Sequence, residues 1–431
     1  MRYRGELKVT GPVSARYFSL APIFILLLAM GSYYGHLRKL TQQRLDSLGF
    51  PARNFSDTLP RWIGTRELLL HGADPYSLEV TREIQRAYYG RALDSQRPAD
   101  PIDEQRFAYP LFVVFVFAPF ISLPFHTFQL TFALVLCLAS ALTVIIWMRA
   151  IHLPLSPDKV LALILAAFTT IPYVEGIQLQ QLSLLVAFFL AAAVFAILKN
   201  NLLVAGALLA LATIKPQLSI ALAGCLLLWS ISQWPSRKRL LIGFVLTLSA
   251  LVLASEFLLP RWPLQFLGGL SAYLRYTQAR TGIHALLGDL GGTAALIFLT
   301  AIAAAAVWRA KSAPLDSEAF GLALCFALTL TCCTVPSLAA HNQVLLLPGY
   351  LLLAKEHKRL RSSGRLARAL LLAAALTILW PWLTGCLLLA LRPIQSVADR
   401  FWDIPLALGP LTPVIIFAAL TPLSFRENLV Q

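Results

Sequence analysis

Charged side chains are scarce in this 431-residue chain: they make up 13% of it, against 58% apolar residues. That is roughly half the quarter that a water-soluble domain carries, which excludes a soluble globular protein. Acidic residues are scarcer still, 21 against 36 lysines and arginines. The six cysteines, Cys137, Cys225, Cys325, Cys332, Cys333 and Cys386, all sit in apolar runs without paired metal-ligand spacing. This argues against a disulfide framework or a zinc site and for small core residues. No small-residue cleavage pattern follows the first apolar run, so it reads as an uncleaved span and not as a signal peptide. No fixed-period repeat, low-complexity tract or inverted duplication is evident either, which removes the usual pointer to a transporter. The net charge of +15 is spread over short loops. Membrane topology and anionic head groups explain that pattern better than nucleic acid does.

What the chain has instead is apolar runs near the roughly 20 residues that cross a bilayer, recurring from residue 17 to residue 421. Spans are expected at 17–37, 126–148, 159–175, 178–198, 200–214, 216–233, 238–258, 285–309, 317–335, 341–354, 366–391 and 404–421. The expected fold is an all-α polytopic membrane protein, a bundle of about twelve transmembrane helices forming one membrane domain over residues 1–431. The run "YPLFVVFVFAPFISLPF" at 109–125 is short and interrupted or bounded by Pro110, Pro119 and Pro124, so it is expected to dip in and return. With that choice, Arg237, Lys238 and Arg239, then Arg309 and Lys311, then the basic residues between Lys355 and Arg368 share one side with the basic N-terminus. That side is expected to be the cytoplasm. The 38–108 segment is long enough to escape the rule and is expected outside.

The outer face then collects 38–108, "YVEGIQLQQ" at 173–181, "IKPQ" at 214–217, the 259–284 loop and "VPSLAAHNQ" at 335–343. In "SDTLPRWIGTRELLLHGADPY" Asp57 is a good N-cap, Pro60 fits the first turn and Gly72 can end the helix. "SLEVTREIQRAYYGRAL" at 77–93 reads as an amphipathic helix, either in the head-group layer or simply solvated. Lys215 lies amid apolar runs, where a cation is either functional or snorkelling to the surface. Glu175 and Gln178 fall at the same depth, and Glu175 can pair with Lys215. Tyr76 and Tyr109 can stack on a sugar or belong to an interfacial aromatic belt. His341, with Asn342 and Gln343, forms a polar cluster at the start of a span. No second Asp follows Asp57 at spacing two, so a DxD-type metal pair is missing and no obligatory metal is expected.

An acidic residue opening the first outer loop is followed in order by "LLLHGADPYS", "FAYPLFVVFVFAPFISLPF", "GIQLQQLSLLVAFFLAAAVF", "AGALLALATIKPQLSIAL" and "VPSLAAHNQVLLLPGYLLL". Together these resemble glycosyltransferase family 87, a branch of the GT-C membrane glycosyltransferases that includes polyprenyl-phosphate-mannose-dependent mannosyltransferases building phosphatidylinositol mannosides. Three motifs depart from the family pattern. "YPP" reads Tyr109, Pro110, Leu111; "GQ" reads Gly176, Ile177, Gln178; and G-x-N-P-Y reads "GADPY", with Asp74 for Asn.

The resemblance implies an enzyme of a bacterial cytoplasmic membrane. It would take a hexose such as mannose from a polyprenyl-phosphate sugar and give it, with inversion, to a lipid or glycan hydroxyl at the extracytoplasmic face. It also implies Asp57 as general base and His341 as its helper or a phosphate donor. Lys215, Gln178, Gln217, Tyr76, Tyr109 and Asn342 are the expected donor-binding residues. No cofactor and no nucleic-acid partner are implied. The competing readings are a flippase or transporter for lipid-linked sugars, which would place its polar groups near mid-membrane, and a binding relative without activity.

Overall fold

The computed structural model describes residues 20–50, 56–94, 96–98, 100–277, 280–335, 339–393 and 398–424. Among them every regular element is helical. Near the start come α1 (Ala21–Ser47), α2 (Leu59–His71) and α3 (Leu78–Tyr89). The short α4 (Val114–Phe117), flanked by 3₁₀ turns, leads to α5 (Phe125–Ala150), α6 (Pro157–Phe168), α7 (Ile171–Gln178), α8 (Leu182–Leu198) and α9 (Leu202–Leu211). Next are α10 (Pro216–Ser232), α11 (Trp234–Leu258), α12 (Trp262–Thr277), α13 (Gly282–Ala310) and α14 (Glu318–Thr334). A 3₁₀ helix at Ala340–Leu346 precedes α15 (Leu347–Lys355), α16 (His357–Ser362), α17 (Arg365–Leu391) and α18 (Thr412–Ser424).

The chain is a multi-pass, all-α membrane protein, and the twelve spans expected are not all long enough, among the described residues, to count as single crossing helices. Among the described residues five stretches are long and apolar enough to cross: Phe125–Ala150, Trp234–Leu258, Gly282–Ala310, Arg365–Leu391 and Asp399–Ser424. A sixth is reached if α6 and α7, bent by 70°, count as one. The remaining apolar helices run 10–17 residues, at or below the lower end of the roughly 17 to 25 residues that cross a bilayer. The bend that divides the expected 159–175 span has a local cause. Pro172 denies α7 a continuous ladder with α6, and the hydroxyls of Thr169 and Thr170 donate to Ala166 O and Ala167 O, at 2.6 and 2.7 Å.

The expected boundary at residue 37 also moves. The described part of that span continues as helix to Ser47, because nothing from Arg38 to Ser47 breaks it and the first breaker is Gly49, at φ 80°. Farther on, α2 ends where expected, at Gly72 in the left-handed conformation. Ser77 caps α3 by accepting the Val80 N–H at 3.2 Å. Helix α3 buries Val80, Ile84 and Tyr88, one face at a spacing of four, as an amphipathic helix must.

Between α9 and α11 the backbones meet so closely that a Cβ on Gly206 would strike Leu240 O, and one on Gly243 would strike Leu203 O. Only glycine fits this crossing. At one end of the bundle the basic loops are tied together. The buried Arg237 guanidinium lies 3.8 Å from the Trp229 ring and donates to Lys311 O at 3.1 Å, and Arg359 donates to Glu318 at 2.8 Å. The other end gathers the turns before α2, between α7 and α8, between α9 and α10, and after α14.

Candidate active site

The sharpest of these turns follows α7. Leu179 ends the helix, Gln180 turns left-handed at φ 50°, and the Gln181 N–H closes back on Gly176 O at 2.7 Å. The strain of a non-glycine residue there is offset by the Gln180 side chain, which donates to Ile177 O and Gln178 O at 3.1 and 2.9 Å. The consequence is that Gln181, 4% exposed, points inward at the start of α8. The chain before α2 docks on the same turn, since Asp57 N–H donates to Leu179 O at 3.1 Å.

Asp57 is not the cap expected from the sequence. Thr58 holds the N-cap position of α2 without a side-chain cap bond, and the Asp57 carboxylate instead accepts the amide N–H of Gln181. Burial pushes this carboxyl above its usual range, against the pull of Arg61, His341 and Lys215.

On the far side of Gln181 stands Lys215. The proline after it keeps it out of the helical conformation (φ −131°, ψ 77°), so the 3₁₀ turn Ala212–Ile214 stops and α10 starts anew. Only 6% exposed, its ammonium donates to Ser183 Oγ at 2.8 Å, Asn342 Oδ1 at 3.1 Å and Gln181 Oε1 at 3.3 Å. Ser183 Oγ in turn donates to Asn342 Oδ1 at 2.7 Å. A buried cation is thus held by three neutral oxygens. The expected partner Glu175 lies elsewhere, its Oε1 3.3 Å from His341 Nδ1.

Of the residues named from the sequence, Asp57, Lys215 and Asn342 belong to one hydrogen-bonded line through Gln181 and Ser183, and His341 stands beside it next to Asn342. Tyr109 is buried beneath the Arg61 guanidinium, 4.3 Å from the ring centroid. Tyr76 donates its hydroxyl to Tyr109 O at 2.6 Å, so these tyrosines form the wall next to Asp57. Gln178 and Gln217 are not brought to the line. Gln178 Oε1 is buried without a hydrogen-bond partner among the described residues, and Gln217 is exposed. Pro336 and Ser337, which precede His341 in the motif, lie outside the described residues.

Sequence reasoning passed over three site residues. These are Gln181, Ser183 and Arg61, which donates to its own Asp57 O while its Nε is buried without a partner among the described residues. The doubled glutamine in "QLQQLS" was a usable signal for the first, since a polar pair opening an apolar helix asks for a partner.

Next to the line lies a cavity of about 680 Å³, whose wall includes Glu175, Leu179, Tyr173, Tyr350 and Trp382. Its lining is mostly apolar, with Arg38 and Gln343 among the polar groups. It meets the line through Leu179, whose carbonyl holds Asp57, and Glu175, which faces His341. The site therefore joins a half-buried carboxylate, a buried ammonium and an apolar chamber of ligand-pocket size. No curated protein and no solved structure matches the chain. The model of glycosyltransferase family 87 matches residues 107–337, taking in Tyr109, Gln178, Gln181, Ser183 and Lys215 but ending before His341 and starting after Asp57. By that match over half its length, the chain belongs to glycosyltransferase family 87 and is a membrane glycosyltransferase.

Proposed function

We propose that this glycosyltransferase takes a hexose, mannose first among the candidates, from a polyprenyl-phosphate sugar and gives it to a hydroxyl of a lipid or glycan. The observation that carries the reading is the line Asp57–Gln181–Lys215 beside the apolar cavity. A base, a cation and a chamber for a hydrocarbon chain are what this transfer needs. The acceptor hydroxyl gives its proton to Asp57 as its oxygen attacks the anomeric carbon. The bond from that carbon to the phosphate oxygen breaks on the opposite face, which inverts the centre. The electron pair leaves with the polyprenyl phosphate, whose charge Lys215 and Arg61 balance. His341, oriented by Glu175, donates to the phosphate. The cavity takes the prenyl chain, and no metal enters the scheme.

The whole chain acts as one membrane domain in a bacterial cytoplasmic membrane, with 109–125 re-entrant and the site on the extracytoplasmic face. Its basic loops, drawn together at the opposite end, face the cytoplasm. Cysteine-accessibility labelling from outside should modify positions in 78–94 and spare 355–368. Labelling of the latter overturns this orientation.

A lipid-linked-sugar transporter would carry its charges near mid-membrane on broken helices, whereas the charged groups of this site, Asp57, Arg61, Lys215 and Glu175, gather at the end of the bundle opposite the basic loops. Purified protein offered a panel of polyprenyl-phosphate sugars and membrane-lipid acceptors, read by mass spectrometry, should yield a glycosylated product from one donor. Movement of labelled donor across a proteoliposome membrane with no product from any donor would replace the transferase by a carrier.

A further inference from the structure

The residue between Asp57 and Lys215 is neutral, and its two ends match two opposite charges. Gln181 gives its amide N–H to the carboxylate and receives the ammonium on its carbonyl oxygen at 3.3 Å. No other side chain of this length satisfies both. A glutamate would set a like charge against Asp57, a lysine would set one against Lys215, and a leucine would serve neither. At 4% exposure the residue has no water to substitute for these bonds. We propose that Gln181 is a positioning residue whose amide fixes the Asp57 carboxylate and stands between it and Lys215. The base then keeps an acceptor oxygen for the substrate proton and the ammonium keeps its charge for the leaving group. The inference rests on the reading of Asp57 as the base.

The two partners depend on Gln181 unequally. Lys215 retains Ser183 and Asn342 when the amide is removed, whereas Asp57 loses the hydrogen bond that orients its carboxylate. Substitution should therefore act on turnover and on the titration of Asp57 far more than on donor binding. The charged groups facing Asp57 are Arg61 from α2, His341 from the 3₁₀ turn, Lys215 from the α9–α10 junction and Asp103 from the loop after α3. The phenols of Tyr34, Tyr88, Tyr89 and Tyr273 face it as well. None of these residues is replaced in a Gln181 variant, and Lys215, released from its Gln181 contact, would pull the midpoint down, so an upward move reports the amide.

The test uses the full-length protein in lipid nanodiscs as wild type, Gln181→Leu and Gln181→Asn. Dicyclohexylcarbodiimide, which attacks protonated carboxyls, is applied across a pH series and its adduct on Asp57 is quantified by peptide mass spectrometry. Loss of a hydrogen bond to the ionised form raises a carboxyl's pKa, so the labelling midpoint should move to higher pH in Gln181→Leu. The shorter Gln181→Asn should fall between the two and decides the matter if Gln181→Leu does not fold. In the transfer assay, turnover of Gln181→Leu should fall about 100-fold, the scale of a misplaced catalytic group, with donor KM within about threefold of wild type. An unmoved midpoint, or a rise in donor KM that matches the fall in turnover, overturns the proposal. The labelling needs no sugar. A moved midpoint in a protein that transfers nothing upholds the contact and sinks the transferase reading, and an unmoved midpoint in an active enzyme does the reverse.

Discussion

Asp57→Asn is expected to leave a folded protein that binds donor and transfers almost nothing. Asparagine keeps the volume and an oxygen that can accept the Gln181 amide, so the docking of α2 on the α7–α8 turn survives. What it cannot do is take a proton at neutral pH. Loss of a general base costs typically about 10² to 10⁴ in rate, and the drop should appear in turnover with little change in donor KM. The structure removes the chief rival explanation, since Thr58 and not Asp57 holds the N-cap position.

The pH dependence follows from the same carboxyl. A base works only when ionised, and burial pushes Asp57 above the ordinary carboxylate value of 3.8. The acid limb of kcat/KM should therefore lie at higher pH than that of an exposed aspartate, with transfer lost as pH falls through it. The limb should be missing from whatever residual rate Asp57→Asn retains. If that variant keeps more than about a tenth of the wild-type turnover, the base lies elsewhere, and His341, already at the site with Glu175 behind it, is the next to test.

What the sequence could disclose divides along a physical line. Features set by neighbours in the chain were legible. The apolar runs announced a helical membrane protein, Gly72 announced the end of α2, and "IKPQ" announced a helix break beside a cation. Features set by distant residues were not. Asp57 looked like a cap because the chain around it supplies a helix start, while its partner Gln181 lies 124 residues away. Glu175 looked like the natural partner for Lys215 by charge and depth, yet the fold gives it His341, and the lysine takes three uncharged oxygens. The family's "GQ" pattern points to Gln178, whereas the fold brings Gln181 to the line. The choice turns on one left-handed residue, Gln180, whose conformation no local pattern dictates. The 159–175 span was drawn straight for a related reason: hydropathy sees apolar length, whereas the 70° bend at Thr169 and Thr170 decides where that helix ends.

Lys215→Met should produce the second large effect, and the geometry says how to separate its two parts. Methionine keeps the reach and the apolar stem of the lysine but removes the ammonium. The site then loses a charge-assisted contact to the donor phosphate, worth about 1.5 to 3 kcal/mol, which corresponds to a rise in donor KM of roughly 10- to 150-fold. Removing the ammonium also strips a donor from Gln181, Ser183 and Asn342, and a buried acceptor left unpaired costs about 1 to 3 kcal/mol. A fall in thermal stability is therefore expected alongside the kinetic one.

Ser183→Ala separates the two, because it disturbs the same cluster while leaving the cation in place. It should lower the melting temperature and leave donor KM near wild type. Melting in detergent and steady-state kinetics on the folded fraction, run on both variants, give the answer. A Lys215→Met protein that melts early but binds donor as wild type does would make the ammonium a structural tie between α8, α10 and the His341 turn. Arg61, with its buried Nε unpartnered among the described residues, would then be left to meet the phosphate.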